Sequence, residues 1–246
     1  MSFEIKGRKF GGGGRPLVCA SLAAETAAGV AEAAEAVASA VFPPDIVEWR
    51  ADAYSGGDYL NALGVINEKL SGYPVIFTLR SHIEGGLFDV PDNIRAGVFK
   101  EVINTGRIDL IDVEFSSPFH NEVMELARGR GIRAIVSHHD FSATPDKHGI
   151  LSKLTEIAGT GCDVVKAAYM PQSRNDVVSL LSACAEFNEI RPELPVIAVS
   201  MGGFGRPSRV ACGLFGSAVT FGAHKISSAP GQPHFARLAE IVGELY

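Results

Sequence analysis

Residues 132–171 read IRAIVSHHDFSATPDKHGILSKLTEIAGTGCDVVKAAYMP. Two apolar runs, IRAIVSHHD and CDVVKAA, flank a stretch from Lys147 to Gly159 whose apolar residues recur at helical spacing. A strand, a helix and a second strand of these lengths describe a βαβ unit, in which the two strands lie parallel. The same alternation extends in both directions. Upstream, PLVCASL, DIVEWRAD, PVIFTLR and IDLIDVEF begin near Pro16, Asp45, Pro74 and Ile108. Downstream, PVIAVSM and AVTFGAHK begin near Pro195 and Ala218. Helical patterns fill the gaps over 23–40, 58–71, 92–105, 120–130, 175–189, 207–215 and 233–244.

Eight strand–helix units in succession predict an α/β fold, a (β/α)8 TIM barrel, as one catalytic domain over residues 1–246. The competing architecture is a doubly wound open sheet, which wants a glycine-rich turn between its first strand and first helix. Here the glycine run Gly11–Gly14 precedes the first barrel strand and reads as a flexible turn. The segment FEIKGRKF before it is expected to pair with the segment after it, as an N-terminal β-hairpin closing the barrel bottom. No linker, low-complexity segment or internal repeat divides the chain.

Of the 246 residues, 46% are hydrophobic, enough for a large core, and the formal net charge of −6 argues against general nucleic-acid binding. No apolar run approaches the roughly 18 residues of a membrane span. The amino-terminal MSFEIKGRKF has no apolar signal core, so the expectation is a cytoplasmic protein that does not engage a membrane. Cys19, Cys162, Cys184 and Cys212 stand far apart without a CxxC pair, as expected of buried thiols in a reducing compartment.

Barrel enzymes carry their chemistry at the carboxyl ends of the strands. Alternation puts Glu48 and Arg50 on one face of the second barrel strand, Asp112 and Glu114 on one face of the fourth, and Ser137 and His139 on one face of the fifth. The third strand ends at Arg80, with Glu84 just beyond, and the sixth ends at Lys166. Each has a plainer reading. Glu48 with Arg50 suits a structural ion pair, Arg80 a salt bridge at the rim, and a lone lysine a snorkelling surface side chain. Asp112 and Glu114 read as partners of other polar groups. What favours chemistry is that these residues gather at the same end of successive strands. A lysine ending an apolar run near an imidazole is the minimum equipment for Schiff-base chemistry on a ketone. His138 and His139 point opposite ways and no HxH or HExxH spacing occurs, so metal catalysis is not expected. Gly202, Gly203 and Gly205, with Arg206 and Arg209, suit an anion, either a phosphate or a carboxylate.

Seven strings are more specific: EWRAD, FTLRSHIEGG, VSHHDFSATP, VVKAAYMP, SMGGFGRPSR, FGSAVTFG and SAPGQ. In these segments, and in their order and spacing, the chain resembles the type I 3-dehydroquinate dehydratases of the shikimate pathway. The resemblance implies that Lys166 forms an imine with the substrate ketone, that His139 is the general acid and base, and that Glu84 orients the histidine. It further implies that Glu48, Arg50 and Arg80 hold substrate hydroxyls and that Arg209 takes the substrate carboxylate. Ser228 and Gln232 would belong to a loop closing over the ligand, with Met201 and Phe221 as the apolar pocket wall. The implied reaction is syn elimination of water from 3-dehydroquinate, giving 3-dehydroshikimate for aromatic amino-acid biosynthesis, by a homodimer needing no cofactor and no metal. The attacking amine must be uncharged, a form that burial and neighbouring arginines would favour. His138 stands where the family leads one to expect an aromatic or apolar residue, and alternation turns it away from the pocket. Two other functions share some of these features: a class I aldolase, which would also use the lysine but wants phosphate anchors, and a catalytically silent binding barrel.

Overall fold

The computed structural model describes residues 2–11 and 14–246. Its first elements are β1 (Phe3–Ile5) and β2 (Arg8–Phe10), an antiparallel hairpin in register Phe3 to Phe10. The two-residue turn between them has Lys6 at φ 47° and Gly7 at φ 75°, the left-handed pair whose twist suits a tight hairpin. Both strands therefore lie inside FEIKGRKF, which pairs with itself and not with the segment after it. Of the glycine run, Gly12 and Gly13 lie outside the described residues.

Eight strands then alternate with helices. The strands are β3 (Leu17–Leu22), β4 (Ile46–Arg50), β5 (Val75–Thr78), β6 (Leu110–Glu114), β7 (Arg133–Asp140), β8 (Val164–Tyr169), β9 (Val196–Ser200) and β10 (Val219–Ala223). The helices are α1 (Ala27–Ala38), α2 (Tyr59–Lys69), α3 (Asp92–Thr105), α4 (His120–Gly129), α5 (Lys147–Ala158), α6 (Arg174–Ile190), α7 (Gly202–Ala211) and α8 (Phe235–Leu245). The sheet runs β10-β3-β4-β5-β6-β7-β8-β9, and every pairing is parallel. Between β9 and β10 the barrel closes through a bridge from Val196 to Ser217. There Ser217 Oγ accepts the Ala198 N–H at 3.1 Å, so a side chain satisfies backbone that a ladder would otherwise pair. The fold is thus the expected (β/α)8 TIM barrel.

Helix starts follow local chemistry. Asp146 caps α5 by accepting the Gly149 N–H at 2.8 Å, and Ser173 with Asp176 forms a reciprocal capping box on α6. At α7 the structure departs from the sequence pattern. The helix begins at Gly202, five residues before the expected Pro207, and 212–215 is a 3-10 turn. Glycines are poor helix formers, so GGFG reads as loop. Packing overrides that preference: a Cβ on Gly205 would lie 2.1 Å from the Ser200 carbonyl oxygen, so only glycine lets α7 approach the end of β9.

Strand alternation divides the core in two. One set of side chains, Val47, Trp49, Phe77, Val113, Val136, Val165 and Ala198 among them, packs outward on the helices. The other fills the barrel, where Leu17, Ile46, Ile76, Leu110, Ile135, Val164, Ile197 and Val219 make an apolar floor. Phe10 of the hairpin is fully buried against that floor, and Phe3 and Ile5 pack beside it. Lys6 Nζ ties the turn to the Tyr73 carbonyl and to Asp109, each at 2.9 Å. The hairpin closes the amino-terminal end of the barrel and leaves the carboxyl end for the site.

Candidate active site

Above the floor the interior turns polar. Inward positions read Ile46, Glu48, Arg50 on β4, and Ile76, Thr78, then Arg80 past the end of β5. They continue Leu110, Asp112, Glu114 on β6; Ile135, Ser137, His139 on β7; and Val164, Lys166, Ala168 on β8. The β9 and β10 side stays apolar with Val199, Met201 and Phe221. One cleft at this end is lined by Lys166, His139, Glu84, Glu48, Arg50, Arg80, Arg209, Ser228, Gln232, Met201 and Phe221, together with Gly85, Phe141, Ala168, Val199 and Ala229. All eleven residues singled out from the sequence thus meet in one cleft.

Lys166 is 5% exposed. Its Nζ lies 2.6 Å from Asp112 Oδ2 and 4.0 Å from Glu48 Oε1, and 4.5 Å from the centre of the Phe221 ring. Its nearest charged partners are therefore carboxylates, where the sequence reading places arginines. Asp112, which the sequence presents only as a partner of other polar groups, is the direct partner of the amine. Burial alone would raise the Asp112 pKa, but Arg80 and then Lys166 outweigh it and hold the carboxyl well below its ordinary range. Ser137 Oγ donates to Asp112 Oδ1 at 2.6 Å, and Arg80 Nη2 does so at 2.8 Å.

His139 lies one inward position above Ser137, the register partner of Lys166, so the imidazole overhangs the amine. Its Nδ1 is 2.9 Å from Glu84 Oε2, which also accepts the His139 backbone N–H at 3.0 Å. A carboxylate oxygen that accepts the backbone donor assigns the ring proton to Nδ1 and leaves Nε2 as the free base. Burial, followed by the nearby Arg80 and Lys166 charges, drives the His139 pKa well below its ordinary value. Glu84 is raised, chiefly by burial. Its presentation depends on glycines: Gly85 sits at φ 87°, and a Cβ on Gly86 would lie 2.3 Å from the Arg80 carbonyl oxygen.

Arg50 does not pair with Glu48. It makes a two-pronged contact with Asp52, Nε to Oδ1 and Nη2 to Oδ2, both at 2.8 Å. Asp52 also accepts the backbone N–H groups of Leu87 and Arg80, so one carboxylate fixes Arg50 and the turn that carries Glu84. Asp52 is visible inside EWRAD, but alternation along β4 gives it no place, because it follows the strand in a 3-10 turn. Glu48 instead accepts from Ser21 Oγ at 2.6 Å and Thr78 Oγ1 at 3.0 Å. Arg80 gives its guanidinium to Asp112, Ser137 and Glu114. Burial works against its charge, and Asp112 and Glu114 more than restore it, so its pKa is raised.

Arg209 differs from the other arginines. It is 3% exposed; among the described residues its Nη1 and Nη2 reach only the carbonyls of Phe221 and Pro230, and its Nε is buried without a partner. Burial pulls its pKa down to about 10. Arg206 is exposed, so the two arginines of GRPSR separate. In the loop after β10, Gln232 Oε1 accepts from Ser228 N at 2.9 Å, Ser228 Oγ at 3.1 Å and Ala229 N at 3.2 Å. The Ser228 carbonyl accepts from Arg50 Nη1 at 3.0 Å. His138 packs edge-on against Tyr169, away from the cleft, as alternation predicts. Among the described residues no helix is long and apolar enough to cross a membrane, and all four cysteines are free and buried.

Such a cleft offers an amine, a base, an oriented carboxylate and an uncompensated cation. The profile of the type I 3-dehydroquinase family matches residues 18–246. The chain is 36% identical over 241 residues to the 3-dehydroquinate dehydratase of Clostridioides difficile, covering 96% of this chain and 94% of that one. With the Listeria welshimeri 3-dehydroquinate dehydratase the identity is 38% over 244 residues, with 96% and 94% covered. A crystal structure of the type I 3-dehydroquinate dehydratase of Clostridium difficile with covalently modified comenic acid superposes with a TM-score of 0.93 at 35% identity, covering 100% of this chain and 98% of that one. The Geobacillus kaustophilus 3-dehydroquinate dehydratase gives a TM-score of 0.92 at 31% identity, with 100% and 96% covered. The chain belongs to the type I 3-dehydroquinase family of hydro-lyases.

Proposed function

We propose that the chain dehydrates 3-dehydroquinate to 3-dehydroshikimate through an imine on Lys166, as a step of the shikimate route to aromatic amino acids. The observation that carries this reading is the pairing of a buried amine with Arg209, a buried guanidinium lacking a counter-ion, across one cleft. A substrate carboxylate supplies the missing anion, and a ketone on the same small ring then reaches Lys166. Arg50, Arg80 and Glu48 line the side where ring hydroxyls lie, while Met201 and Phe221 cover the apolar side.

Lys166, as the free amine, adds to the carbonyl carbon and water leaves, giving an iminium cation that draws electrons from the neighbouring carbon. His139 Nε2 removes the proton from that carbon, and the electron pair moves into the carbon–carbon bond. The resulting enamine expels the β-hydroxyl, which takes the proton from His139, so one water departs and the base is regenerated. Glu84 keeps the imidazole in the tautomer this cycle needs. Hydrolysis of the conjugated imine frees the product and Lys166. The resemblance to the family also supports a homodimer and a cytoplasmic location.

The test is borohydride reduction in the presence of 3-dehydroquinate, followed by peptide mapping. A substrate-derived mass on Lys166, absent in Lys166→Ala together with turnover, is expected. Full turnover by Lys166→Ala would exclude the imine route.

A further inference from the structure

We infer that Arg95, a residue of α3 outside the barrel wall, is a positioning residue for Lys166 that acts through a buried row of alternating charges. The inference rests on the imine reading above and adds to it a residue that never touches the cleft.

Arg95 is 1% exposed, an unusual place for a guanidinium on the inner face of a barrel helix. Its Nη1 meets Asp92 Oδ1 at 2.7 Å, its Nε meets the Leu79 carbonyl at 3.1 Å, and its Nη2 contacts Glu114 Oε2. Glu114 ends β6, at the rim, where one carboxylate can face both outward and inward. Its Oε1 lies 3.3 Å from Arg80 Nη1. Arg80 Nη2 lies 2.8 Å from Asp112 Oδ1, and Asp112 Oδ2 lies 2.6 Å from Lys166 Nζ. The row Asp92, Arg95, Glu114, Arg80, Asp112, Lys166 alternates in sign at every link, from a half-exposed carboxylate on the surface to the reacting amine. In so dry a setting charges couple over several links.

The row makes Arg80 a shared resource. Glu114 and Asp112 compete for it, and the longer of the two contacts is the one to Glu114. Arg95 supplies Glu114 with its own cation, which leaves Arg80 biased towards Asp112. Without Arg95, Glu114 draws Arg80 to itself. Asp112 then has less positive charge on its far oxygen and holds Lys166 Nζ more firmly, with Glu48 at 4.0 Å as the only other carboxylate within ion-pair reach among the described residues, so the amine is less available to the ketone.

The deciding experiment uses the full chain with 3-dehydroquinate and measures the rate of borohydride-trapped adduct and kcat/KM across pH, alongside thermal melts. Arg95→Met is expected to move the acid-side limb of both profiles upward by about one pH unit, a tenfold loss below the limb, with little change in KM. Arg95→Lys, which keeps the charge and loses the fork, should move it in the same direction by less. Arg95→Met combined with Glu114→Gln removes both competing charges and should bring the limb back towards wild type. A limb that stays in place while only the melting temperature falls overturns the inference, leaving Arg95 as a docking residue for α3. If Arg95→Met does not fold, an unmoved limb in Arg95→Lys overturns it equally. Absence of any trapped adduct in the wild-type chain overturns the imine reading itself and this inference with it.

Discussion

As the proposed base, His139 has to be neutral to accept a proton, yet it sits against the Glu84 carboxyl, which would favour its charged form. Burial resolves the conflict, since desolvation together with Arg80 and Lys166 pushes its pKa well down. A base with a lowered pKa stays unprotonated below the ordinary histidine range, so mild acid does not by itself disable it. His139→Asn keeps a side chain of similar polarity without a basic nitrogen. It is expected to form the adduct with Lys166 while turnover falls by about 10²–10⁴-fold. Mass spectrometry of the reduced adduct checks this: the variant should carry intact substrate, the wild type a share of dehydrated product. Dehydrated adduct at the wild-type rate would remove His139 from proton transfer. The site residues are largely readable in the sequence, because strand alternation places Glu48, Arg50, Ser137, His139 and Lys166 on inward faces. Their partners are not: Arg50 pairs with Asp52 because the chain bends into a 3-10 turn after β4, which alternation does not foresee.

The loop between β10 and α8 gathers on the side chain of Gln232. Four donors converge on Gln232 Oε1, from Ser227 Oγ, Ser228 N, Ser228 Oγ and Ala229 N, and two of the loop's carbonyls, Ser228 and Pro230, accept from Arg50 and Arg209. The same arginines are proposed to hold substrate, so the loop and the ligand share donors. Gln232→Ala leaves the Ser228 and Ala229 amides without their acceptor. Their hydrogen exchange should accelerate in the absence of any ligand, with the barrel strands unchanged, as followed by mass spectrometry on the 224–234 peptide. Exchange equal to wild type would show that the arginine contacts alone hold the loop. At α7 the lesson is packing: local propensity argues for a loop over Gly202–Gly205, and close approach to Ser200 selects a helix.

At the scale of the molecule, the buried carboxylates set the acid limit of the fold. Asp112 and Glu114 are both held below their ordinary range, because burial, which would raise them, is outweighed by Arg80 with Lys166 for the one and by Arg80 with Arg95 for the other. With folded values below unfolded ones, the unfolded chain takes up protons first as pH falls. The stability they contribute is complete above about pH 5, clear of the unfolded values, and is lost as pH drops from there through the folded values, with a slope of up to about 1.4 kcal/mol per pH unit for each group. Glu84, raised by burial, has the opposite sign, and its contribution is lost as pH rises through its folded value. Thermal melts between pH 5 and pH 3 should therefore show a steep decline in the wild type and a shallower one in Glu114→Gln, which starts from a lower midpoint. Parallel declines in the two proteins would contradict this assignment.

The alternation of eight apolar runs with eight helical stretches determined the barrel without help from the structure, because period-2 and period-3.6 burial are local properties of a chain. Polar residues at the carboxyl ends of successive strands determined where the cleft lies, and seven short strings determined the family. Only the tertiary structure decided that Lys166 faces Asp112, that Arg50 turns to Asp52, that FEIKGRKF folds on itself, and that Arg209 is left without a counter-ion. Those facts belong to contacts between elements distant in sequence. Their energies come from burial and mutual charge, which no single segment carries.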